Sequence, residues 1–531
     1  MSRPARFLAP FASIALALTA LHAQTPAVRA PGPEARASRA YQAALLGGPL
    51  ALRAFLAEFP KGADLHVHLS GAVYAETFIR DAGQERLCVD PAAPRFAPTP
   101  DRKRITEPCD KPLIPASQLS RDMTPANQDL YDRLIDAMSM RSFVPTSGFS
   151  GHDQFFATFG RMPWLIQNHT GEWVDEVASR AAAQNQQYLE LMETPPHDHE
   201  TRIADDLGWN PDLSTLQRQL IEKGLFNEVA ADRADVSGAE DDRKRIEHCD
   251  SSAQQAPACQ VEIRYIYQVG RGRPPAEVFA QTLLGFETIR QSIKAHEPGF
   301  VGINLVMPED GFISMSDYTL HMKMMEYLHS QYPEVHISLH AGELAPGLAP
   351  PEGLRFHIRQ AVELGHAERI GHGVDVMYED DAPALLKELA QKHVMVEINL
   401  SSNEGILGIK GAEHPFTNYR AVHVPVALST DDEGVSRIDL THEYVRAALD
   451  YHLTYQDLKQ LARTGMEHSF LPGKSLWTAE DNFTLPSAPC KGQPLGQAKP
   501  ASACQAFLDS SEKASAQWEL ERRFRVFEAK F

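Results

Sequence analysis

The sequence predicts an α/β fold, a (β/α)₈ TIM barrel with a helical N-terminal extension, two long insertions and a C-terminal extension. Short β-branched or apolar runs alternate with helical patterns, which is typical of a parallel sheet. Eight such runs occur, and the last five recur about every 25–35 residues, the length of one βαβ unit. The candidate strands are Asp64–His68, Tyr188–Met192, Val261–Tyr267, Val301–Val306, Val335–His340, Glu368–Gly371, Val394–Leu400 and Val424–Thr430.

The segments around these strands complete the predicted barrel domain, residues 38–475. Helical patterns such as Pro351–Leu364 and Ala382–Lys392 fill the connections. A helix or helical pair precedes the first strand, and two helices follow the last. The two insertions cover residues 72–180 and 193–260.

Residues 476–531 form the predicted C-terminal extension. A Pro/Gly-rich loop at 486–499 leads to a charged helical pattern at 511–531. Trp518, Phe524 and Phe527 give this helix apolar side chains with which to dock. The sequence predicts no function for the extension.

The N-terminus has the features of an export signal. Arg3 and Arg6 precede an apolar stretch that ends in small residues. A membrane anchor is the alternative, but Pro10 interrupts the stretch and a span needs about 20 apolar residues. We expect residues 1–23 to be a cleaved signal peptide and residues 24–37 to be an Ala/Pro-rich spacer. The mature protein is then periplasmic or secreted, with no stable membrane anchor.

The six cysteines agree with export, because disulfides persist in oxidising compartments. Six cysteines allow fifteen connectivities, and their grouping into local couples favours one of them. A zinc ribbon is the alternative, but no Cys-x-x-Cys is present to support it. The favoured disulfides join Cys88 to Cys109, Cys249 to Cys259, and Cys490 to Cys504.

Composition and charge restrict the partners. Hydrophobic residues make up 43% and charged residues 23% of the chain, as in soluble globular enzymes. The formal net charge is −19, and no long run of Lys or Arg occurs. Because nucleic acids are bound mainly by clustered positive charge, this balance argues against a nucleic-acid partner. A small-molecule substrate, including a free nucleoside, remains compatible.

The first candidate strand ends in a His-x-His pair. His66 and His68 are two residues apart, so both side chains point to the same face of the strand. Barrel enzymes place their chemistry at this carboxyl end of the strands. With 22 histidines in the chain, the pair alone is weak evidence for a metal site.

Three later strands end in similar residues. His340 closes the fifth strand with Glu343 just beyond it, His372 follows the sixth, and Asp431 and Asp432 follow the eighth. Each pattern also suits a core, since a buried His can bond the backbone and an Asp pair can cap a helix. Their coincidence at one end of one barrel favours a metal site.

Three histidines and a carboxylate suit zinc, which takes nitrogen and oxygen ligands. Zinc with an open position lowers the pKa of water to about 7. A second carboxylate outside the ligand set can move protons, and a further His can hold the hydroxide. The set predicts one Zn²⁺ per chain and hydrolysis at an electrophilic carbon, such as deamination of an aromatic amine or amide cleavage.

Several stretches resemble the adenosine deaminase family of the amidohydrolase superfamily, most closely its secreted, growth-factor-like branch. The similarity extends over residues 38–475. It implies the barrel fold and the hydrolytic deamination of adenosine. The matching stretches are FPKGADLHVH at 59–68, GHDQFFATF at 151–159, SLHAGEL at 338–344, RIGHG at 369–373, STDD at 429–432 and SFLP at 469–472.

The resemblance also implies a role for each site residue. Glu343 would protonate the purine ring nitrogen while hydroxide attacks the carbon that bears the amine. His372 would orient the hydroxide, and Asp432 would accept a hydrogen bond from the opposite edge of the purine. The implied zinc ligands are His66, His68, His340 and Asp431.

Three residues depart from the family pattern. Ser70 stands where family members commonly carry an Asp that can hold the ribose. Met307 stands where a Gly usually offers its N–H to the purine, and Glu433 replaces a usual Pro. We expect Ser70 and Met307 to alter substrate binding without touching the metal site.

The sequence as a whole predicts an exported, zinc-dependent aminohydrolase acting on adenosine or a related 6-aminopurine nucleoside, with inosine and ammonia as products of adenosine. One alternative is hydrolysis of another amine or amide by the same machinery. Another is an extracellular nucleoside-binding protein that has lost turnover. The helices at 38–59 and the 72–180 insertion offer surface for a homodimer.

Overall fold

The computed structural model describes residues 1, 32–96, 105–121, 124–163, 165, 169–195 and 199–531. Apart from Met1, the predicted signal peptide and residues 24–31 of the predicted spacer lie outside these residues. Among the residues that are described, no helix combines the length and apolarity needed to cross a bilayer.

Eight parallel strands form one sheet in which each strand pairs with the next along the chain. The eight predicted strands are therefore confirmed, and their ends differ from the expected ones by a few residues. The strands are β1 (Gly62–His68), β2 (Gln186–Glu193), β3 (Glu262–Gly270), β4 (Phe300–Val306), β5 (His336–Ala341), β6 (Arg369–His372), β7 (Met395–Ile398) and β8 (Val426–Leu428).

The backbone just beyond β8 returns to β1 and closes the barrel. Val67 pairs in parallel with Asp431. The N–H of Asp431 donates to the carbonyl of His66 at 2.8 Å, and the N–H of His68 donates to the carbonyl of Asp431 at 3.3 Å. The same contacts that close the barrel therefore hold three predicted metal ligands together.

Helices surround the sheet as a (β/α)₈ barrel requires. One helix lies immediately before each strand from β2 to β8, and two follow β8. These helices are Thr170–Ala183, Val229–Ile246, Pro275–Ala295, Tyr318–His329, His357–Glu363, Ala382–Gln391, Phe416–Ala421, Leu440–Asp450 and Tyr455–Glu467. Shorter helices after strands are Phe312–Ser316, Leu400–Leu407 and Glu433–Ser436, and 3₁₀ turns occur at Leu225–Asn227, Pro257–Gln260, Pro351–Leu354, Val376–Tyr378, Gly411–Glu413 and Ala488–Cys490.

One predicted helix is wrong as a continuous element. Pro351–Leu364 is a 3₁₀ turn at Pro351–Leu354 followed by a helix that begins only at His357. The break lies at Arg355 and Phe356, because Phe356 has φ of −153°, outside the helical range.

The two predicted insertions are helical. The first carries Leu69–Ala72, Ala75–Gln84, Ala116–Arg121, Pro125–Ala137 and Gly151–Phe159, together with a three-stranded antiparallel sheet of Cys88–Asp90, Arg95–Phe96 and Ile114–Pro115. The second carries His199–Leu207 and Leu213–Glu222 before the helix that leads to β3.

The N-terminal extension is a helical pair, Pro33–Leu46 and Pro49–Glu58. The pair confirms the predicted helices, but the first begins inside the segment expected to be a spacer. Pro33 accounts for the earlier start, because proline is favoured in the first turn, where its missing N–H costs no hydrogen bond.

The C-terminal extension docks on the barrel through the helix Glu512–Glu528. Its Trp518, Phe524 and Phe527 are buried, as the sequence predicted. A hairpin of Trp477–Ala479 and Asn482–Pro486 and a helix at Ser502–Asp509 precede it. The hairpin is absent from the predicted elements because its strands are short and largely exposed.

All three favoured disulfides form: Cys88–Cys109, Cys249–Cys259 and Cys490–Cys504. The first lies at the small sheet of the first insertion, the second near the end of the second insertion, and the third in the C-terminal extension. Among the described residues no cysteine is free.

Candidate active site

Three imidazole nitrogens and one carboxylate oxygen converge at the carboxyl end of the barrel. Nε2 of His340 lies 3.1 Å from Nε2 of His66 and 3.2 Å from Nε2 of His68. Oδ1 of Asp431 lies 3.6 Å and 3.4 Å from the same two nitrogens. All four donor atoms lie within 4.8 Å of one another.

The donor set fits a zinc ion. Tetrahedral Zn–N and Zn–O bonds of about 2.0–2.1 Å place neighbouring donors roughly 3.3–3.4 Å apart, close to the separations observed. Burial, together with the neighbouring His66 and His68, lowers the pKa of His340 well below its usual range. The ring is therefore neutral, which is the form that binds a metal.

Each candidate histidine ligand has its other nitrogen, Nδ1, bound to a side chain. Nδ1 of His66 lies 2.6 Å from Glu397 Oε2. These bonds fix the ring orientations and turn every Nε2 toward the common centre, as outer partners do in metal sites. The other two pairs are His68 with Gln268 and His340 with Asn304, each at 2.7 Å.

Glu397 is held in turn by a buried network of charged side chains. Arg369, on β6, lies 2.7 Å from Oε1 of Glu397 and 2.6 Å from Oε2 of Glu190. The ring of Phe470 lies against the guanidinium of Arg369, and the ring centroid is 3.8 Å from Arg369 Cζ. All three charged side chains are fully buried, so each depends on the others for compensation. The RIGHG and SFLP stretches meet in this network.

Glu343 lies on the turn after β5, inside the same cavity. Burial, followed by the negative charges of Asp431 and Glu309, raises its pKa well above the usual range. Its Oε1 makes no hydrogen bond within the described part of the chain. A carboxyl group with a raised pKa is suited to hold and give a proton near neutral pH.

His372 faces the cluster from β6. Asn403 accepts from His414 through Oδ1 at 3.0 Å and donates from Nδ2 to Nδ1 of His372 at 2.9 Å. The proton of His372 is therefore on Nε2, which lies 3.8 Å from Asp431 Oδ2. Burial and the nearby imidazole of His66, against the attraction of Asp431, lower the pKa of His372 to about 3.

Asp432 points into the cavity beside Asp431. Its side chain is buried, and among the described residues its Oδ1 has no hydrogen-bond partner. Burial and the charge of Asp431 raise its pKa well above the usual range. Cation binding to Asp431 would relieve the second cause.

The cavity in front of the cluster has a volume of about 250 Å³ and a largely apolar wall. Phe155, Phe156 and Phe159 come from the helix Gly151–Phe159 of the first insertion. Val306, Pro308 and Ile406 add to this wall. Among the described residues that line the cavity, none is Lys or Arg.

Residues 244–479 match the family model described as adenosine deaminase. This stretch contains Glu343, His372 and both Asp431 and Asp432 within the geometry described above. This part of the chain is therefore similar to the adenosine deaminase family.

Two adenosine deaminases of Clostridium perfringens are similar in sequence to part of this chain. The protein of strain SM101 is 32% identical and that of strain 13 is 31% identical, each over 187 residues. The aligned part is 35% of this chain and 51% of each relative. The chain thus spans about half the length of the curated relatives it matches.

Solved structures of this class are similar at low identity. Adenine deaminase from Arthrobacter aurescens has 16% identity and a TM-score of 0.49, covering 78% of this chain and 94% of that chain. A zinc-bound amidohydrolase from Burkhoderia ambifaria has 17% identity and a TM-score of 0.49, covering 79% and 88%. At this sequence identity and TM-score, the two solved structures support no conclusion about the ligands of this chain.

The three departures from the adenosine deaminase pattern differ in location. Ser70 and Met307 line the cavity. Met307 is half-exposed with φ of +107°, and it packs over Gly272, where a Cβ would lie 3.4 Å from the Met307 methyl. Glu433 instead pairs with Arg180 at 2.8 Å, outside the cavity lining.

Sequence reasoning missed the residues that orient the metal ligands: Gln268, Asn304 and Glu397. Each is a polar residue within an otherwise apolar strand run, and Glu397 is fully buried. A carboxylate in such a run was the available signal, because buried charges need a partner.

Proposed function

We propose that this protein is a zinc-dependent aminohydrolase that converts adenosine, or a related 6-aminopurine nucleoside, to the 6-oxo nucleoside and ammonia. One observation carries the proposal. Four metal donors converge at 3.1–3.6 Å in the cavity that also holds the neutral carboxyl of Glu343. The similarity of residues 244–479 to the adenosine deaminase family supports the substrate class.

The proposed zinc ligands are His66, His68, His340 and Asp431, with one ion per chain. Bound zinc supplies Lewis-acid chemistry and lowers the pKa of water, so that a strong nucleophile exists at neutral pH. The chain's own task is to orient the purine, to hold developing negative charge and to move protons.

Glu343 is the proposed proton carrier. Its raised pKa keeps it protonated near neutrality, so it can donate to the purine ring nitrogen as the C–O bond forms. The proton of the new C–OH group then passes to the amine, the C–N bond breaks, and ammonia leaves. Adenosine and water thus give inosine and ammonia.

His372 and Asp432 are the proposed orienting groups. The Nε2–H of His372 faces the cluster and can donate to an oxygen that develops negative charge. The raised pKa of Asp432 favours its protonated form, so its carboxyl group can donate a hydrogen bond to a purine ring nitrogen. Both side chains are buried, so neither has to shed bulk water when substrate arrives.

The substrate is proposed to be an uncharged nucleoside. The cavity holds the carboxyl groups of Glu343, Asp431 and Asp432, and its lining among the described residues offers no Lys or Arg for a phosphate. Ser70 lacks the carboxylate that could hold ribose hydroxyls. Recognition then rests mainly on the base.

We also propose export and membership of the secreted branch. The three disulfides support this, because such bonds persist in oxidising compartments. The signal peptide at 1–23 and a homodimer built on the helical extensions remain predictions.

A second substrate class is favoured by Met307. Its side chain lines the cavity at the position where the family pattern has Gly, and it fills space beside the base. Another amine or amide hydrolysed by the same residues is therefore the second candidate.

The test is the ultraviolet change from adenosine to inosine, followed with zinc-loaded protein that begins at residue 24. We expect rapid turnover that falls to a slow residual rate in Glu343→Gln, is lost after chelation and is kept in the exposed control Glu413→Gln. Zinc-loaded protein that binds adenosine without product would support a binding protein instead. Absence of both binding and turnover would direct the search to other amines.

A further inference from the structure

Glu309 lies between the end of β4 and the turn that carries Glu343. Its side chain is 1% exposed. Oε2 accepts the backbone N–H of Glu343 at 2.8 Å, and Oε1 accepts the backbone N–H of Gly342 at 3.0 Å. One carboxylate thus binds two successive amides of the loop that presents Glu343.

This turn needs an external partner, because the chain leaves the sheet there. Gly342 has φ of +76°, and a Cβ at this position would lie 2.5 Å from Asp375 Oδ1. Its carbonyl accepts from the N–H of Val374 at 2.8 Å. The amide hydrogens on the other side of the turn are held by Glu309.

The surroundings of Glu309 keep it ionised. His357 Nδ1 lies 2.5 Å from Oε1, and Arg271 Nη2 lies 3.8 Å from Oε2. Although burial alone raises the pKa of Glu309, the bond to His357 and the nearby positive charges lower it to about 2. A carboxylate, not a carboxylic acid, therefore accepts both amides.

The same group of residues reaches a proposed metal ligand. Arg271 donates from Nη1 to the backbone carbonyl of His340 at 3.1 Å. Glu309 and Arg271 therefore fix the chain on both sides of the strand end, from His340 to Glu343. Neither Glu309 nor Arg271 lines the cavity itself.

We propose that Glu309 is a positioning residue, which holds the Gly342–Glu343 turn so that the Glu343 carboxyl faces the reacting base. The role in turnover rests on the proposed function, whereas the hold on the turn does not. A buried ion pair that served stability alone would affect folding without a selective effect on kcat. The two roles are separable by experiment.

The first experiment measures amide hydrogen exchange by mass spectrometry in a peptide that spans residues 339–344. In Glu309→Gln an NH₂ group replaces one accepting oxygen, so the Gly342 and Glu343 amides exchange faster. Glu379→Gln is the matched control, because Glu379 is also buried and accepts two backbone amides, those of Ile358 and Arg359. Faster exchange in Glu309→Gln alone is expected, and unchanged exchange would overturn the proposal.

The second experiment compares steady-state kinetics of the same zinc-loaded proteins. For Glu309→Gln we expect kcat to fall by roughly 10–100-fold while KM stays within about twofold, since misplacing a catalytic group by about 1 Å has that effect. Glu379→Gln keeps the wild-type kcat. In the Glu343→Gln background the same substitution has no further effect, because the residue acts through Glu343.

Two outcomes distinguish the claims. A full additional loss in the Glu343→Gln background would overturn the positioning role, since Glu309 would then act independently of Glu343. If the wild-type protein turns over no 6-aminopurine nucleoside, the proposed function fails, and hydrogen exchange alone decides whether Glu309 holds the turn.

Discussion

A Cβ placed on Gly71 would lie 1.4 Å from Oδ1 of Asp432, so the loops after β1 and β8 touch at a point where only glycine fits. The contact joins the first and last strands of the barrel at the cavity. Gly71 lies outside the sequence motifs, and this contact connects it directly to Asp432, the proposed purine-binding carboxyl group.

Gly71→Ala should therefore displace Asp432. We expect kcat/KM for adenosine to fall by about 10–100-fold, as a misplaced group near the substrate would cause. Gly238→Ala is the control, because a Cβ there meets no atom within 4 Å and the residue lies inside the helix Val229–Ile246. That control should keep its activity and gain about 0.5–1 kcal/mol of stability. Wild-type kinetics in Gly71→Ala would show that Asp432 does not bind substrate.

Glu397→Gln should weaken zinc binding by roughly 10–100-fold, because the outer partner of a ligand histidine sets its orientation and basicity. The measurement is competition for zinc with a chelator of known affinity. Glu404→Gln, which removes a carboxylate from the ion pairs with Lys410 and Arg446, is the control. Equal zinc affinity in wild type and Glu397→Gln would show that the His66–Glu397 bond does not contribute to zinc binding.

AMP should be a poor substrate. Its phosphate would enter a cavity with three carboxyl groups and, among the described lining residues, no cation. We expect kcat/KM for AMP to be lower than for adenosine by about 100-fold or more, since burying a phosphate without a cationic side chain to pair with it costs several kcal/mol. The neutral 2′-deoxyadenosine should be turned over well. Comparable rates for AMP and adenosine would contradict the uncharged-nucleoside assignment.

An ion pair across the cavity mouth should respond to pH. His152, on the helix that carries the phenylalanine wall, lies 3.0 Å from Asp310. Although burial lowers the pKa of His152, the bond to Asp310 and the charge of Asp153 raise it above the usual value. The pair therefore stabilises the fold fully below pH ~6.5, the unfolded-state pKa, and its contribution is lost as pH rises through the higher folded-state pKa.

The check on this pair is the free energy of unfolding of wild type and Asp310→Asn as a function of pH. The difference between them should be largest at acidic pH, at no more than about 1 kcal/mol, and should shrink toward pH 8. A difference that grows with pH would contradict the assignment of a charged His152.

Much of the fold follows from local sequence patterns. The runs ending in His68 and His340 alternate apolar and polar residues, so strand positions could be predicted, and the barrel then places their ends together. The helix break before His357 comes from the extended φ of Phe356, which no local sequence pattern predicts. The short exposed hairpin at Trp477–Pro486 lacks the alternation that marks a half-buried strand.

The candidate ligands could be predicted because histidines and carboxylates are rare at strand ends. Their supporting residues could not, because Gln268 and Asn304 meet His68 and His340 only after the barrel closes. The role of Glu309 is harder to predict from sequence, because Glu309 binds backbone amides, and almost every residue type has one.

The most direct test of the central claim is a zinc titration of the metal-free protein, with adenosine turnover measured at each step. We predict that the activity of the wild-type protein rises linearly and reaches its plateau at one zinc per chain. The Asp431→Asn variant should require far more zinc to reach any plateau. Full turnover by the metal-free protein, or none with one zinc bound, would contradict the central claim.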